Sequence, residues 1–89
     1  MSLEVVYMPS FIRQFDGLPH SLQEEALEKI EEFRDSNNHK KSRVHPLQGR
    51  LAGRFSFRID YKNRIVFRWY TKDKKTAVLL AVGDHDVYR

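Results

Sequence analysis

Residues 55–70 read FSFRIDYKNRIVFRWY, and this stretch decides the fold. Large apolar residues occupy every second position on either side of a polar turn at residues 61–63, namely Phe55, Phe57, Ile59, Ile65, Phe67 and Trp69. A period of two residues is typical of strands that bury one face. The stretch therefore predicts a β-hairpin with one apolar face and one polar face.

Two further strands flank this hairpin in the sequence. Residues 3–8 (LEVVYM) are rich in β-branched and aromatic residues, which favours a short strand. Residues 76–82 (TAVLLAV) are apolar on both faces, which predicts a strand in the interior of the sheet. A glycine, Gly83, follows that run and predicts that the chain leaves the sheet there.

Two helices are predicted between the first strand and the hairpin. The first carries Phe11, Phe15 and Leu18 at helical spacing, with Ser10 as its expected cap. The second extends to about Arg34, and its surplus of Glu predicts a solvated face. Its start is open between two alternatives, a capping box formed by Ser21 with Glu24 and a first helical position at Pro19.

The predicted order is β-α-α-β-β-β, an α+β domain spanning residues 1–89 with a mostly antiparallel four-stranded sheet and both N-terminal helices on one face. The 89 residues include no Cys, which excludes disulfides and thiolate catalysis. No apolar run is long enough for a membrane span, and the N-terminus lacks the features of a signal peptide. We therefore expect a cytoplasmic protein with no membrane contact.

Charge is divided unevenly along the chain, although the net charge is only +4. Residues 1–39 carry eight acidic residues against three basic ones, whereas residues 40–75 carry twelve Lys or Arg against Asp60 and Asp73. Such a balance predicts a half that binds a polyanion. The candidate RNA-binding residues outside the site itself are Lys40, Lys41, Arg43, Arg50, Arg54 and Arg68.

The hairpin brings Arg58 and Arg64 to its polar face beside the turn, where guanidinium groups could bind phosphate. His45 and His85 could act as general base and general acid near that face, because imidazole titrates near neutral pH. His20 and His39 are expected to be ordinary surface residues. Tyr88 could either stack on an RNA base or cover the edge of the core. No spacing predicts a metal site, and we expect no cofactor.

Three segments together carry a resemblance to a known family: HPLQGRLAGRF at residues 45–55, the hairpin, and AVGDHDVYR at residues 81–89. In order and spacing they resemble the RelE/ParE superfamily, the toxins of type II toxin–antitoxin pairs. The resemblance covers nearly the whole chain and is closest to the RelE and YoeB-like mRNA interferases. It implies an endoribonuclease that cleaves mRNA in the ribosomal decoding site, and a cognate antitoxin that blocks the site.

The resemblance also assigns roles by position. Arg64 matches the hairpin arginine that contacts the scissile phosphate, and His85 falls where the family places its general acid. Tyr88 resembles the C-terminal tyrosine that stacks on an mRNA base, and His45 matches the position of the glutamate base of YoeB-like members. Arg58 occupies one of two positions where RelE has strand lysines. Ser56 occupies the other, which departs from a RelE-style lysine base.

Two other classes remain open from the sequence. A ParE-like toxin would share the fold but bind and inhibit DNA gyrase without being a nuclease. A module that binds RNA without catalysis would show salt-dependent binding and produce no new RNA ends. The presence of candidates at the His, Arg and Tyr positions favours the ribonuclease interpretation.

Overall fold

A computed structural model describes residues 2–84, which form two helices and one five-stranded sheet. The strands are β1 (Glu4–Tyr7), β2 (His45–Pro46), β3 (Phe55–Arg58), β4 (Arg64–Trp69) and β5 (Thr76–Gly83), and the helices are α1 (Pro9–Asp16) and α2 (His20–Arg34). Two short 3-10 turns lie at Ser36–Asn38 and Gly49–Leu51. Among residues 2–84, no helix is both long enough and apolar enough to cross a membrane.

The sheet has the strand order β1-β5-β4-β3-β2. Strand β1 runs parallel to β5, and every other neighbouring pair is antiparallel. The predicted α+β arrangement with a mostly antiparallel sheet is therefore confirmed. The run at residues 76–82 is also an interior strand as predicted, because β5 lies between β1 and β4.

The sheet has one strand more than the four predicted. His45 and Pro46 form β2 at its edge and pair with Ser56 and Phe55 of β3. Two residues are too few to show a period, and a proline that cannot donate a backbone hydrogen bond argues against a strand unless it lies at an edge. The sequence therefore indicated a loop here, and the extra strand places His45 beside the hairpin.

Both helices lie against one face of the sheet, as expected from the alternation of the hairpin. Phe57, Ile65, Phe67 and Leu79 are fully buried in the core, where α2 contributes Ala26, Ile30 and Phe33. The ring of Phe33 stacks on that of Phe57, with centroids 4.2 Å apart and planes 6° from parallel. This aromatic contact holds α2 against one face of the hairpin, and the opposite face of β3 and β4 carries Ser56, Arg58, Arg64, Val66 and Arg68.

The helix starts differ from the sequence expectations. Ser10 is not a cap, because α1 begins one residue earlier at Pro9; its hydroxyl instead donates to the carbonyl of Leu80 at 2.7 Å and ties α1 to β5. Pro19 is the cap residue of α2, and no side chain caps that helix. Of the two alternatives, a start at the proline is closer to the structure than the capping box.

The two histidines expected at the surface differ from each other. His20 is exposed and pairs with Glu24 one helical turn away, at 2.9 Å. His39 is half-buried, and its ring stacks on Phe33 at 4.8 Å while its Nε2 lies 2.9 Å from the Phe33 carbonyl oxygen. The expectation for His39 was wrong because the polar loop that carries it folds back over the end of α2.

Candidate functional site

The polar side of the hairpin borders a cleft of about 470 Å³ that we call the cationic cleft. Among residues 2–84, the side chains that line it are basic, imidazole or apolar, and none is acidic: Lys40, Arg43, Val44, His45, Arg58 and Arg64. The loop after α2 supplies the first three of these residues, and β2, β3 and β4 supply one each. A concave surface of this composition is suited to an anion.

Arg58 and Arg64 lie directly opposite each other as partners in the β3–β4 pair. Like charges in directly opposed positions of a sheet destabilise it unless something compensates. A bound phosphate would provide that compensation, since guanidinium groups present donors in the geometry that phosphate oxygens accept. The register of the hairpin thus turns two arginines six positions apart into one local concentration of positive charge.

The guanidinium of Arg64 is held by the turn that precedes it. Its Nη1 donates to the carbonyl oxygens of Asp60 at 2.6 Å and Asn63 at 3.0 Å, and its Nη2 donates to that of Tyr61 at 3.2 Å. These contacts use three of the five N–H donors of an arginine. The Nε–H and one Nη2–H are left for a ligand, and two donors are enough for a bidentate contact with a phosphate.

Asp60 stabilises the same turn from the other side. Its carboxylate accepts hydrogen bonds from the backbone N–H of Lys62 at 2.8 Å and of Asn63 at 2.7 Å. Burial acts to raise the pKa of Asp60, but these hydrogen bonds and the charge of Arg64 outweigh it and lower the pKa below its ordinary value. The associated stabilisation is present above the pKa of the unfolded chain and is lost as the pH falls through the lowered value.

Arg58 has an unmet donor beside the cleft. Its backbone N–H donates to the carbonyl of Ser42 at 2.9 Å, which holds the loop after α2 against the end of β3. The Nε of Arg58 and the Oγ of Ser42 are buried, and neither has a hydrogen-bond partner within residues 2–84. A buried polar group without a partner costs about 1–3 kcal/mol. Arg58 lines the cationic cleft, so a residue of the cleft has a polar group that residues 2–84 leave without a partner.

His45 is held in one orientation by two contacts. Its Nδ1 lies 3.0 Å from the carbonyl oxygen of Arg43, and its Nε2 lies 3.4 Å from the hydroxyl of the buried Ser56. A carbonyl oxygen can only accept, so Nδ1 carries the proton in this contact and the neutral ring keeps its lone pair on Nε2. That tautomer can accept a proton from a group bound in the cleft.

The remaining predicted RNA-binding residues divide into two groups. Lys40 and Arg43 line the cationic cleft with the residues of the hairpin. The others are exposed but do not line it: Lys41, Arg50, Arg54 and Arg68. Arg68 instead borders a separate, mostly apolar cavity of about 290 Å³ beside Val6, Met8, Tyr70 and Val78. Arg68 thus lies on the polar face of β4, as the sequence predicted, but it does not line the cationic cleft.

Two predicted site residues, His85 and Tyr88, lie outside the described residues. Gly83, the last residue of β5, is the direct partner of Arg64, so β5 ends beside the cleft. Within residues 2–84, no group of three or more metal-binding side chains is assembled.

The structure also reveals two residues that the sequence did not single out, the buried Ser42 and the exposed Tyr61. The burial of a loop residue depends on the tertiary contacts of the loop, so the local sequence pattern did not predict the burial of Ser42 or the exposure of Tyr61.

No protein-family model and no curated protein matches the sequence. Solved structures match over almost the whole chain. The toxin–antitoxin complex RelBE2 from Mycobacterium tuberculosis is 25% identical, with a TM-score of 0.76 over 96% of this chain and 100% of that chain. The Escherichia coli toxin RelE is 16% identical, with a TM-score of 0.72 over 99% and 92% of the two chains. The archaeal RelE–RelB complex from Pyrococcus horikoshii is 18% identical, with a TM-score of 0.69 over 94% and 96%.

Proposed function

We propose that this chain, a member of the RelE/ParE toxin superfamily, is the toxin of a type II toxin–antitoxin pair that cleaves ribosome-bound mRNA. The observation that carries the proposal is the cationic cleft, where paired arginines and a histidine whose Nδ1 donates to a carbonyl oxygen come together with no acidic side chain from residues 2–84 in the lining. A surface built only for solubility would not be expected to leave the Nε of Arg58 buried without a partner among residues 2–84.

The proposed reaction is attack by the ribose 2′-oxygen on the adjacent phosphorus. The Nε2 of His45 takes the proton of the 2′-hydroxyl, while Arg58 and Arg64 stabilise the negative charge that develops on the phosphoryl oxygens. The bond from phosphorus to the 5′-oxygen breaks, and His85 returns a proton to that oxygen. The products are a 2′,3′-cyclic phosphate and a 5′-hydroxyl end, and the reaction consumes no cofactor.

The general acid and the base-stacking residue rest on the family resemblance. His85 is proposed as the acid and Tyr88 as a residue that stacks on an mRNA base, and both follow β5 within five residues of Gly83. Gly83 pairs with Arg64, so β5 ends beside the proposed phosphate site, which supports an acid contributed by the residues that follow this strand. We assign the whole chain, residues 1–89, to one toxin domain.

Two partners follow from this proposal. The ribosome would present the mRNA strand in its decoding site, and Lys41, Arg50, Arg54 and Arg68 would contact RNA phosphates outside the cleft. A cognate antitoxin would inhibit the toxin by covering its basic face, and an acidic antitoxin segment would complement the charge of that face. Complexes of RelE with RelB and the RelBE2 complex are toxin–antitoxin assemblies, which supports a partner of this kind.

Two assays of the wild-type protein separate the proposal from the gyrase alternative. In a translating extract, we expect new 5′-hydroxyl ends in a reporter mRNA, and these ends should be absent when translation initiation is blocked. Purified DNA gyrase should retain its supercoiling activity in the presence of the protein. An intact reporter together with inhibited gyrase would overturn the ribonuclease proposal in favour of a ParE-like toxin. RNA binding without new ends would favour the module that lacks catalysis.

A further inference from the structure

The turn between β3 and β4, which precedes Arg64 of the cationic cleft, carries an exposed aromatic side chain. Tyr61 is 81% exposed, the largest exposed fraction among the exposed large apolar side chains of residues 2–84. Its ring therefore contributes almost nothing to the core. Exposed tyrosines are common binding residues, since the ring offers a large flat surface that is ordered by only two side-chain torsions.

Several hydrogen bonds hold the backbone of the turn that carries Tyr61. Hydrogen bonds to the Asp60 carboxylate hold the residues that follow it, and the Arg64 guanidinium binds three carbonyl oxygens of the turn, including that of Tyr61. The turn is also closed by the backbone N–H of Ile59, which donates to the Asn63 carbonyl at 3.0 Å. A ring on such a turn loses little backbone entropy when it binds a ligand.

The same guanidinium connects the backbone of Tyr61 to the cleft. Arg64 donates to the Tyr61 carbonyl from Nη2 at 3.2 Å and also lines the cationic cleft. A phosphate bound by the free donors of Arg64 would be followed along the RNA by a nucleoside. That nucleoside would lie near the turn that carries Tyr61, because the guanidinium binds the carbonyl oxygens of this turn as well.

We infer that Tyr61 forms a base-stacking subsite for an unpaired nucleobase adjacent to the phosphate held by Arg58 and Arg64. The inference rests on the proposed function in so far as it takes the ligand to be single-stranded RNA. Because every base has a π face, the subsite tolerates any base and contributes binding energy more than sequence preference. It adds a second aromatic contact to the one proposed for Tyr88, on the hairpin side of the cleft.

The test uses short single-stranded RNAs in which 2-aminopurine replaces each position in turn and the 2′-hydroxyls are replaced by hydrogen to prevent cleavage. Stacking on Tyr61 should quench the fluorescence of 2-aminopurine at one position. Tyr61→Ala should abolish this quenching and weaken binding about 5- to 150-fold, the equivalent of one lost base–aromatic stack. Tyr61→Phe should retain both properties, since it keeps the ring.

Tyr70→Ala is the matched control, because Tyr70 is 64% exposed in the β4–β5 turn at the opposite end of β4. It should leave the quenching unchanged. The same RNAs are then placed in the decoding site of ribosomes, and quenching that does not depend on Tyr61 in both formats would overturn the inference. Quenching needs no reaction, so Tyr61-dependent quenching without any cleavage of unmodified mRNA would overturn the nuclease proposal alone.

Discussion

His45→Ala is expected to slow the cleavage of ribosome-bound mRNA by roughly 10²–10⁴-fold, the usual contribution of general acid–base catalysis. The contact from Nδ1 to the Arg43 carbonyl favours the tautomer in which Nε2 is the acceptor, and the proton of the 2′-hydroxyl would replace the long contact of Nε2 with the Ser56 hydroxyl. Without that imidazole, the 2′-hydroxyl of the mRNA must lose its proton to water. The rate is measured in a single turnover with excess toxin on ribosomes programmed with one mRNA.

His20→Ala is the control for this experiment, because the side chain of His20 is 83% exposed on α2 and pairs with Glu24 on the same helix. It should cleave at the wild-type rate. His45 itself is exposed and its removal opens no cavity, so the unfolding temperature of His45→Ala should match that of the wild type. A folded His45→Ala protein that cleaves within a factor of about three of the wild-type rate would remove His45 from the mechanism, since general-base catalysis contributes far more.

Phe33→Ala is expected to lower the free energy of unfolding by about 3–5 kcal/mol, the typical cost of truncating a buried phenylalanine. Phe33 is fully buried and lies at the centre of the aromatic cluster, against Phe57, His39 and Phe67. A chain of this length has a total stability of about 4–13 kcal/mol. The substitution would therefore remove a large part of the stability, and urea unfolding followed by Trp69 fluorescence measures it.

Phe15→Ala provides the matched comparison. Phe15 is half-buried at the edge of the core, and its nearest aromatic neighbour is Phe11, with ring centroids 6.0 Å apart. Its truncation leaves a space that solvent can fill, so the loss of stability should be clearly smaller. Equal losses for the two variants would contradict the central position of Phe33 in the core.

The sequence predicted the hairpin well, because apolar and polar residues alternate along its strands and this alternation follows directly from the burial of one face. Phe57 and Ile59 before the turn and Ile65 and Phe67 after it lie in the core, and the same period placed Arg58 and Arg64 together on the other face. Strand β2 was not predicted, because a strand of two residues is too short to show an alternating pattern. His39 was misjudged because a loop sequence does not show which core residue the loop will cover.

The charge pattern identified the basic half of the chain but not the arrangement within it. Arg68 lies on the same face of β4 as Arg64, but it borders a different cavity. The two residues are four positions apart, so their side chains lie at different points along the strand. The orientation of Arg64 depends on three backbone carbonyl oxygens of the turn, which no side-chain pattern records. The roles of His85 and Tyr88 remain predictions from the family resemblance.

The most direct test of the central claim is induction of the wild type and of the Arg64→Ala/His85→Ala double variant in bacteria, with primer extension on an abundant translated mRNA. Arg13→Ala/His20→Ala is the matched control, since it removes one arginine and one histidine from exposed positions of α1 and α2. We predict growth arrest with cuts in translated codons for the wild type and the control, and neither effect for a soluble, folded double variant. Arrest by the wild type without mRNA cuts, or cuts that persist in the double variant, would contradict the proposed site and mechanism.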